Sequence, residues 1–433
     1  MEVVLGAILR MNEENKNKKT KKTKNNKKKK NKFNFKHYDT MYKKVIDLFK
    51  HKYNPTIDNK AIRDIDEPCL IFGNHGSVFD FIFAGSAIYP KKAVFVVTRR
   101  TMYDRISKKI VKMSPHILRD QFSSDLRSII DMGDALKQGY NVVLYPEGKV
   151  STCGKTNIIP KATGKLVKTF KVPVVTIVCD GNWLAKPSWA SHVRVGNFNI
   201  RTKQILTREQ IKQMTAEEIQ LLLEQELCHN ENKYQLEGNY EYHNILKSKG
   251  FAEGLEKVLY KCPKCGKDFT MHTKGSDIFC EECGFRATYN HNGLITSEDK
   301  DFKYYRIDKW VDYENEELKK ELLDDNFIIK SVVEAQVENK IAAKYDKIGK
   351  GTLIMDKQKI TFSSFDNKTN LQYNIDKVEG IPFVVGVRIC LLIDDVNYEF
   401  VFKDKLMSTK YNMAVELLAE DRNVRKKEGK DRN

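Results

Sequence analysis

The chain has no long apolar run. Nowhere in its 433 residues do about 18 apolar residues stand uninterrupted, the length a spanning helix needs, so no transmembrane helix is expected. The richest apolar region, 69–97, is broken by Asn74, His75, Asp80, Pro90, Lys91 and Lys92. No secretory leader is expected either. The opening MEVVLGAILRM has Glu2 where a basic region belongs, no cleavage pattern follows, and Met11 is an alternative start to Met1. No internal repeat is visible. Cysteine is thin outside two tight pairs: of nine, Cys69, Cys153, Cys179, Cys228 and Cys390 are scattered. This usage, without a leader, points to a reducing, cytoplasmic compartment. Acids are absent from 16–32, where eleven Lys stand in low-complexity sequence. Those Lys carry most of the net charge of +18 and leave +7 for everything else. Like charges repel and nothing apolar is there to bury, so 1–36 is expected to be a disordered, Lys-rich tail. Anionic lipid would attract it by about 1 kcal/mol per Lys near the surface. Nucleic acid would attract it as well, and the tail alone does not choose.

The remainder is rich enough in apolar residues, at 41% of the whole chain, to build true cores. Residues 38–55 read as an amphipathic helix closed near Pro55. Strand and helix then alternate: strands at 68–74, 93–98, 141–148 and 172–181, and helices at 79–89 and 123–139, the last with an N-cap Ser and a closing Gly139. Such alternation predicts an α/β sheet flanked by helices. A helical stretch with cap-like Thr207 and Thr215 covers 207–228. After about 325, short strands separated by turns precede one final helix, which predicts a separate antiparallel β domain closed by a C-terminal helix.

The stretch 71-IFGNHGSVFDFIFAG-85 places a titratable pair, His75 and Asp80, at the mouth of an apolar element. A His five residues before an acid is weak by itself. Nine His and 58 acids in 433 residues give about one such match by chance. His272 and Asp277 are one such match and are given no catalytic role. On one continuous helix the two side chains would stand about 140° apart. They meet only if His75 lies in the loop and Asp80 in the first turn, with Gly76 as a flexible turn, Ser77 as N-cap and Asp80 at the third helical position. The chemistry is then that of an imidazole base held by a carboxylate, and the apolar run would suit a greasy substrate. A core His bonded to a nearby Asp is the plain alternative.

A second motif, 142-VVLYPEGKVS-151, comes later in the chain. Together N-H-x-S-x-x-D at 74–80 and Y-P-E-G at 145–148 resemble the glycerolipid acyltransferases of the lysophosphatidic acid acyltransferase family. ILRD at 117–120 and VPVVTIVCDG at 172–181 fit two more of its blocks, so the resemblance covers roughly 60–225. It implies an acyltransferase-type sheet over 37–230. His75 would be the general base on an acceptor hydroxyl, and Asp80 its orienting partner. Glu147 and Gly148 would shape the acceptor site, and Arg119 would hold the acceptor phosphate through its planar fork, with Lys149 adding charge. The implied reaction moves a fatty acyl group from an acyl thioester, acyl-CoA or acyl-ACP, to a lysophospholipid. In its simplest form this converts 1-acyl-sn-glycerol-3-phosphate to phosphatidic acid, in phospholipid biosynthesis. Glycerol 3-phosphate or another lysolipid is an alternative acceptor. Acyl carrier protein is a further implied partner, and an anionic membrane surface a peripheral docking site. Two departures bear on the substrate: Lys149-Val150 replaces the family's Thr-Arg, and Thr176 stands where a second Pro is common.

CPKCG, then CEECG fourteen residues later, places Cys262, Cys265, Cys280 and Cys283 around one tetrahedral ion. Gly266 and Gly284 are expected at positive φ after each second Cys. Four thiolates leave no open position, so the ion, Zn2+ by preference over iron, would be structural. His272 is expected to be a loop residue and not a ligand. The spacing resembles a zinc ribbon, bounded here at 258–300 and joined by a connector at 231–257. Two disulfides are the alternative. Charges of both signs mix within 262–284, which disfavours nucleic acid as a partner. The β domain at 325–420 resembles the pleckstrin-homology-like and GRAM group in architecture alone. A non-catalytic zinc-ribbon protein binding lipid, protein or nucleic acid is the competing reading of the whole chain.

Overall fold

The structure, a computed structural model, describes residues 33–112, 114–121, 125–246, 250–376 and 378–430. The Lys-rich run, Met1, Met11 and the Ser expected to cap the helix at 123–139 lie outside these residues. The chain forms two compact units. One takes Met1–Val150, Thr156–Ala185 and Val195–Glu231; the other takes Ser151–Lys155, Lys186–Arg194 and Asn232–Asn433.

The first unit is built on seven strands: β1 (Thr56–Asp58), β2 (Leu70–Gly73), β3 (Ala93–Thr98), β4 (His116–Arg119), β5 (Asn141–Leu144), β6 (Val174–Asp180) and β7 (Asn199–Leu206). Their order is β1-β7-β6-β2-β5-β3-β4. Strands β2 to β6 run parallel, and β7 returns antiparallel beside β6. The central strands β2 and β5 are buried along their whole length, and β6 at every residue but Val178, as a sheet covered on both faces requires. Helices α1 (Lys43–Tyr53), α2 (Asp80–Ile88), α3 (Leu126–Lys137), α4 (Ala162–Phe170) and α5 (Ala216–Leu227) supply the cover. One face buries Leu70, Phe72, Val142, Leu144 and Val174 with Met132, Val167, Ile219 and Leu223. Phe33 joins this core and Phe35 packs on Tyr140, so the last residues expected in the tail are part of the unit.

Several local expectations are corrected. Asp125 caps α3, its carboxylate accepting from Ser128 N–H at 3.0 Å. The stretch 207–228 is two helices, Arg208–Gln213 and α5, each opened by its own capping box at Thr207 and Thr215. Strands β1, β4 and β7 were not foreseen.

In the second unit, β8 (Met271–Lys274), β9 (Asp277–Cys280), β10 (Arg286–Tyr289) and β11 (Ile295–Thr296) form a small antiparallel meander. His272 is thus a strand residue and not a loop residue. Within the stretch expected as a connector, Phe251, Ala252 and Leu255 are buried, with Arg194 over the Phe251 ring at 3.9 Å. Helix α6 (Ile307–Glu321), also unforeseen, buries Ile307, Trp310, Val311, Glu314 and Leu318 on one stripe. The terminal sheet has seven strands, β12 (Ile329–Asn339), β13 (Lys344–Met355), β14 (Lys359–Ser364), β15 (Asn370–Asn374), β16 (Phe383–Val384), β17 (Arg388–Ile393) and β18 (Val396–Phe402). All are antiparallel, in the order β15-β14-β13-β12-β18-β17-β16. Helix α7 (Met407–Lys430) closes it, Tyr411 Oη donating to the Leu353 carbonyl at 3.0 Å. The expected fold class is the one observed: a flanked α/β sheet, a small element holding the four paired cysteines, and an antiparallel domain closed by a helix.

Candidate functional site and metal centre

Parallel strands put their carboxyl ends on one edge, and the chain leaves each end as a loop. His75 follows β2, Arg119 ends β4, the Tyr145–Lys149 loop follows β5, and Asn182 follows β6. Asn74 fixes where β2 stops. Its carboxamide donates to the Cys179 carbonyl at 3.0 Å and accepts from Cys179 N–H at 2.8 Å, extending the β2–β6 ladder with a side chain. The next residue, His75, is thereby turned out of the sheet.

His75 Nδ1 lies 2.7 Å from Asp80 Oδ2. The imidazole is 22% exposed and the Asp80 side chain 2%. Helix α2 begins at Asp80 with Phe79 in the cap position, so Asp80 is its first residue and not its third. The carboxylate nevertheless reaches back to Ser77 N–H at 3.0 and 3.1 Å, the bond an acid makes to a capping residue three positions earlier. Burial pushes the Asp80 carboxyl up, while His75, Ser77 N–H and Asn182 hold it down. The Tyr145 ring stacks on the imidazole, with centroids 4.8 Å apart and planes at 24°. Gly73 is small for this reason: a Cβ there would sit 2.6 Å from the Tyr145 ring.

Glu147 is buried behind the histidine. Its Oε1 accepts from His75 N–H at 2.7 Å, and its Oε2 accepts from Asn157 N–H at 2.7 Å and Asn157 Nδ2 at 2.8 Å. Burial pushes its carboxyl up to about 7. Gly148 has φ 72°, a conformation glycine adopts without Cβ strain, and its carbonyl accepts from Gln121 Nε2. That contact ties the β5 loop to the end of β4. The Arg119 guanidinium makes no hydrogen bond to any described residue; burial lowers its pKa, opposed by the nearby charge of Asp125. Arg99 is instead committed to Asp120 at 3.1 Å. Lys149 is buried at 6% exposure, its carbonyl accepting from Asn157 Nδ2.

One expectation about α2 changes. Its residues Asp80, Ile82–Ile88 are all buried, and Phe49 of α1 packs edge-on against Phe83 at 4.9 Å. Core packing accounts for the apolar run, which therefore says nothing about a greasy substrate.

In the second unit, the sulfurs of Cys262, Cys265, Cys280 and Cys283 all lie within 4.8 Å of one another. Cys262–Cys283 is 3.6 Å and Cys265–Cys280 is 3.8 Å. A tetrahedral zinc with bonds of about 2.3 Å needs sulfurs about 3.8 Å apart, so the residues fit the ion. A disulfide needs about 2.05 Å and is excluded. Both knuckles use the same backbone: Gly266 N–H returns to the Cys262 carbonyl at 3.0 Å and Gly284 N–H to the Cys280 carbonyl at 3.1 Å. Both glycines have the expected positive φ, 72° and 70°. Thr270 Oγ1 lies 3.2 Å from Cys280 Sγ, positioned to donate to the thiolate.

Residues 51–180 match the family model described as Acyltransferase. The chain carries an acyltransferase domain. Residues 255–291 match a zinc-ribbon model described as DNA directed RNA polymerase, 7 kDa subunit. No curated relative matches the chain. Among solved structures, the 1-acyl-sn-glycerophosphate (LPA) acyltransferase PlsC from Thermotoga maritima is similar over 44% of this chain and 79% of that one, at 14% identity and a TM-score of 0.33. Among the described residues no helix is long and apolar enough to cross a membrane.

In the acyltransferase domain the imidazole is held by Asp80 on one nitrogen and by Glu147 through its backbone, with the ring partly open. That arrangement can accept a proton from a hydroxyl at Nε2. Asn157 and Asn182 were missed by sequence reasoning. Both follow motif segments, at PEGKVSTCGKTN and VVTIVCDGN, but an isolated Asn carries no spacing signal.

Proposed function

We propose that this chain transfers an acyl group from an acyl thioester, acyl-CoA or acyl-ACP, to the hydroxyl of a lysophospholipid, in its simplest form making phosphatidic acid from 1-acyl-sn-glycerol-3-phosphate. The observation that carries the reading is the 2.7 Å bond between His75 Nδ1 and a buried Asp80, with the ring part-exposed where the strands end. His75 Nε2 takes the acceptor hydroxyl proton as the oxygen attacks the thioester carbonyl. The tetrahedral intermediate then expels the thiolate, which recovers the proton from the imidazolium. Asp80 fixes the tautomer and stabilises that cation. Arg119, whose guanidinium has no hydrogen-bonded partner among the described residues, holds the acceptor phosphate. Glu147 positions the His75 backbone, and Gly148 allows the turn. A bilayer surface supplies the acceptor, with the Lys-rich run adding attraction to anionic lipid. The zinc ribbon is structural, its four ligands leaving no coordination site open.

The test is transfer from a labelled acyl thioester to a panel of lysophospholipids and glycerol 3-phosphate, beside His75→Ala. The variant is expected to lose transfer by about 10³-fold or more, with its fold intact by circular dichroism. Full activity in that variant, or no transfer to any acceptor, overturns the proposal.

A further inference from the structure

We propose that Asn182 is a positioning residue for the reaction: it fixes the Asp80 carboxylate that orients His75, and Gly76 is a glycine to make room for it. The inference rests on the reading of His75 and Asp80 as the reacting pair.

Asn182 Nδ2 donates to Asp80 Oδ1 at 2.9 Å, and Oδ1 is the oxygen turned away from the histidine. Oδ2 faces His75 Nδ1 at 2.7 Å, and Ser77 N–H reaches both oxygens. Rotating the carboxylate would break the bonds to His75 and Asn182 together. Asn182 cannot flip in compensation. Its own Oδ1 accepts from Trp183 N–H at 2.7 Å, so the amine side must face Asp80. Asn182 is fully buried and Asp80 is 2% exposed, and in that dry setting a neutral donor to a carboxylate is strong and costly to lose.

Gly76 supplies the second observation. It does not occupy the left-handed region, so no turn requires a glycine there. A Cβ would instead meet Asn182 Cγ at 2.7 Å and Nδ2 at 2.9 Å. The small residue beside His75 and the amide beyond the end of β6 are thus one spatial constraint.

The segment carrying Asn182 is anchored at each of its preceding residues. Asp180 accepts from Asn199 Nδ2 and Arg201 Nη2, both at 2.9 Å. Gly181 N–H donates to Glu231 at 2.8 and 3.1 Å. His229 Nε2 stands 3.3 Å from Glu231 Oε1, close enough for ion pairing though not aligned as a hydrogen bond. A rigid support of this kind lets a neutral amide hold a carboxylate to a fraction of an ångström. The other titratable groups around the pair are Tyr145 on the ring, Cys179 on β6 and Glu147 behind the His75 backbone. None of them replaces the Asn182 donor to Oδ1.

The experiment follows the His75 ring by NMR, its signals assigned by difference from His75→Ala, and transfer kinetics across pH. The variants are Asn182→Asp, Asn182→Leu and Gly76→Ala. Asn182→Leu and Gly76→Ala are expected to lower kcat about 10- to 100-fold with KM little changed. They move the ring's titration and the acid limb of the rate profile to higher pH, because the donor that stabilises the less protonated pair is gone. Asn182→Asp adds a like charge and moves both further. Should either Asn182 variant fail to fold, Gly76→Ala decides by the same two midpoints. Midpoints that stay at the wild-type pH overturn the inference, even where kcat or thermal stability falls. Full transfer in His75→Ala would instead sink the reaction reading, while the ring titration still decides whether Asn182 governs the pair.

Discussion

Glu147 illustrates how a motif residue can hold the backbone of its neighbours. Three donors converge on its two oxygens, from the His75 and Asn157 backbones and the Asn157 side chain. Glu147→Gln would turn an amine toward one of those donors, at a cost of about 1–3 kcal/mol for the unmet group. The pH dependence of stability carries a sign. The carboxyl rises from 4.5 to about 7 on folding, so its contribution is fully present below about pH 4.5 and is lost as pH climbs through about 7. Urea midpoints measured from pH 4 to 8 are expected to show this fall in the wild type and a smaller one in Glu147→Gln. Equal slopes would mean that folding leaves the Glu147 carboxyl unshifted. The buried Lys149 fits the same pattern of a loop held from inside.

At the scale of elements, the helices are set by caps at their ends and by close approach in their middles. Thr207 and Thr215 each close a capping box, and both were legible because a Thr with Gln or Glu three residues later is a local signature. The packing of the helices they open was not legible. Helix α5 packs on α4 through Gly164, whose N–H donates to Gln220 Oε1 at 2.9 Å. A Cβ on Gly164 would drive into the Ala216 carbonyl and come within 3.0 Å of Gln220 N. Thr215→Ala is expected to cost about 1 kcal/mol through the lost cap. Gly164→Ala should cost more, toward about 3 kcal/mol, because two backbones must separate. Thermal midpoints of the two variants check the order; the reverse order would show that α4 and α5 yield freely. The apolar run of α2 belongs to the same scale. Its composition was plain, but its meaning depended on α1 lying over it.

At the scale of the whole molecule, the four-cysteine meander of the second unit is expected to depend on a bound ion. Metal analysis is expected to find about one zinc per chain, and Cys283→Ser to reduce it. Chelation should strip amide protection from 255–296 while β2, β5 and β6 keep theirs; retained protection across 255–296 would show that the meander folds without metal. The four Cys were legible because a C-x-x-C-G knuckle is a local device: its turn, its glycine and its ligands lie within five residues. The central strands were legible for a similar reason, since a strand buried on both faces must be apolar throughout. Strands β4 and β7 and helix α6 escaped because mixed polar residues there gain their pattern from what they pack against. The sequence by itself determined the periodicities, the caps, the knuckles and the His75–Asp80 spacing, all of which act over a few residues. Only the tertiary structure decided that Asn182 faces Asp80, that Glu147 looks inward and that Gly76 is a matter of space. Those contacts join segments 72 to 106 residues apart, brought together by parallel strands ending on one edge, and no spacing along the chain encodes them.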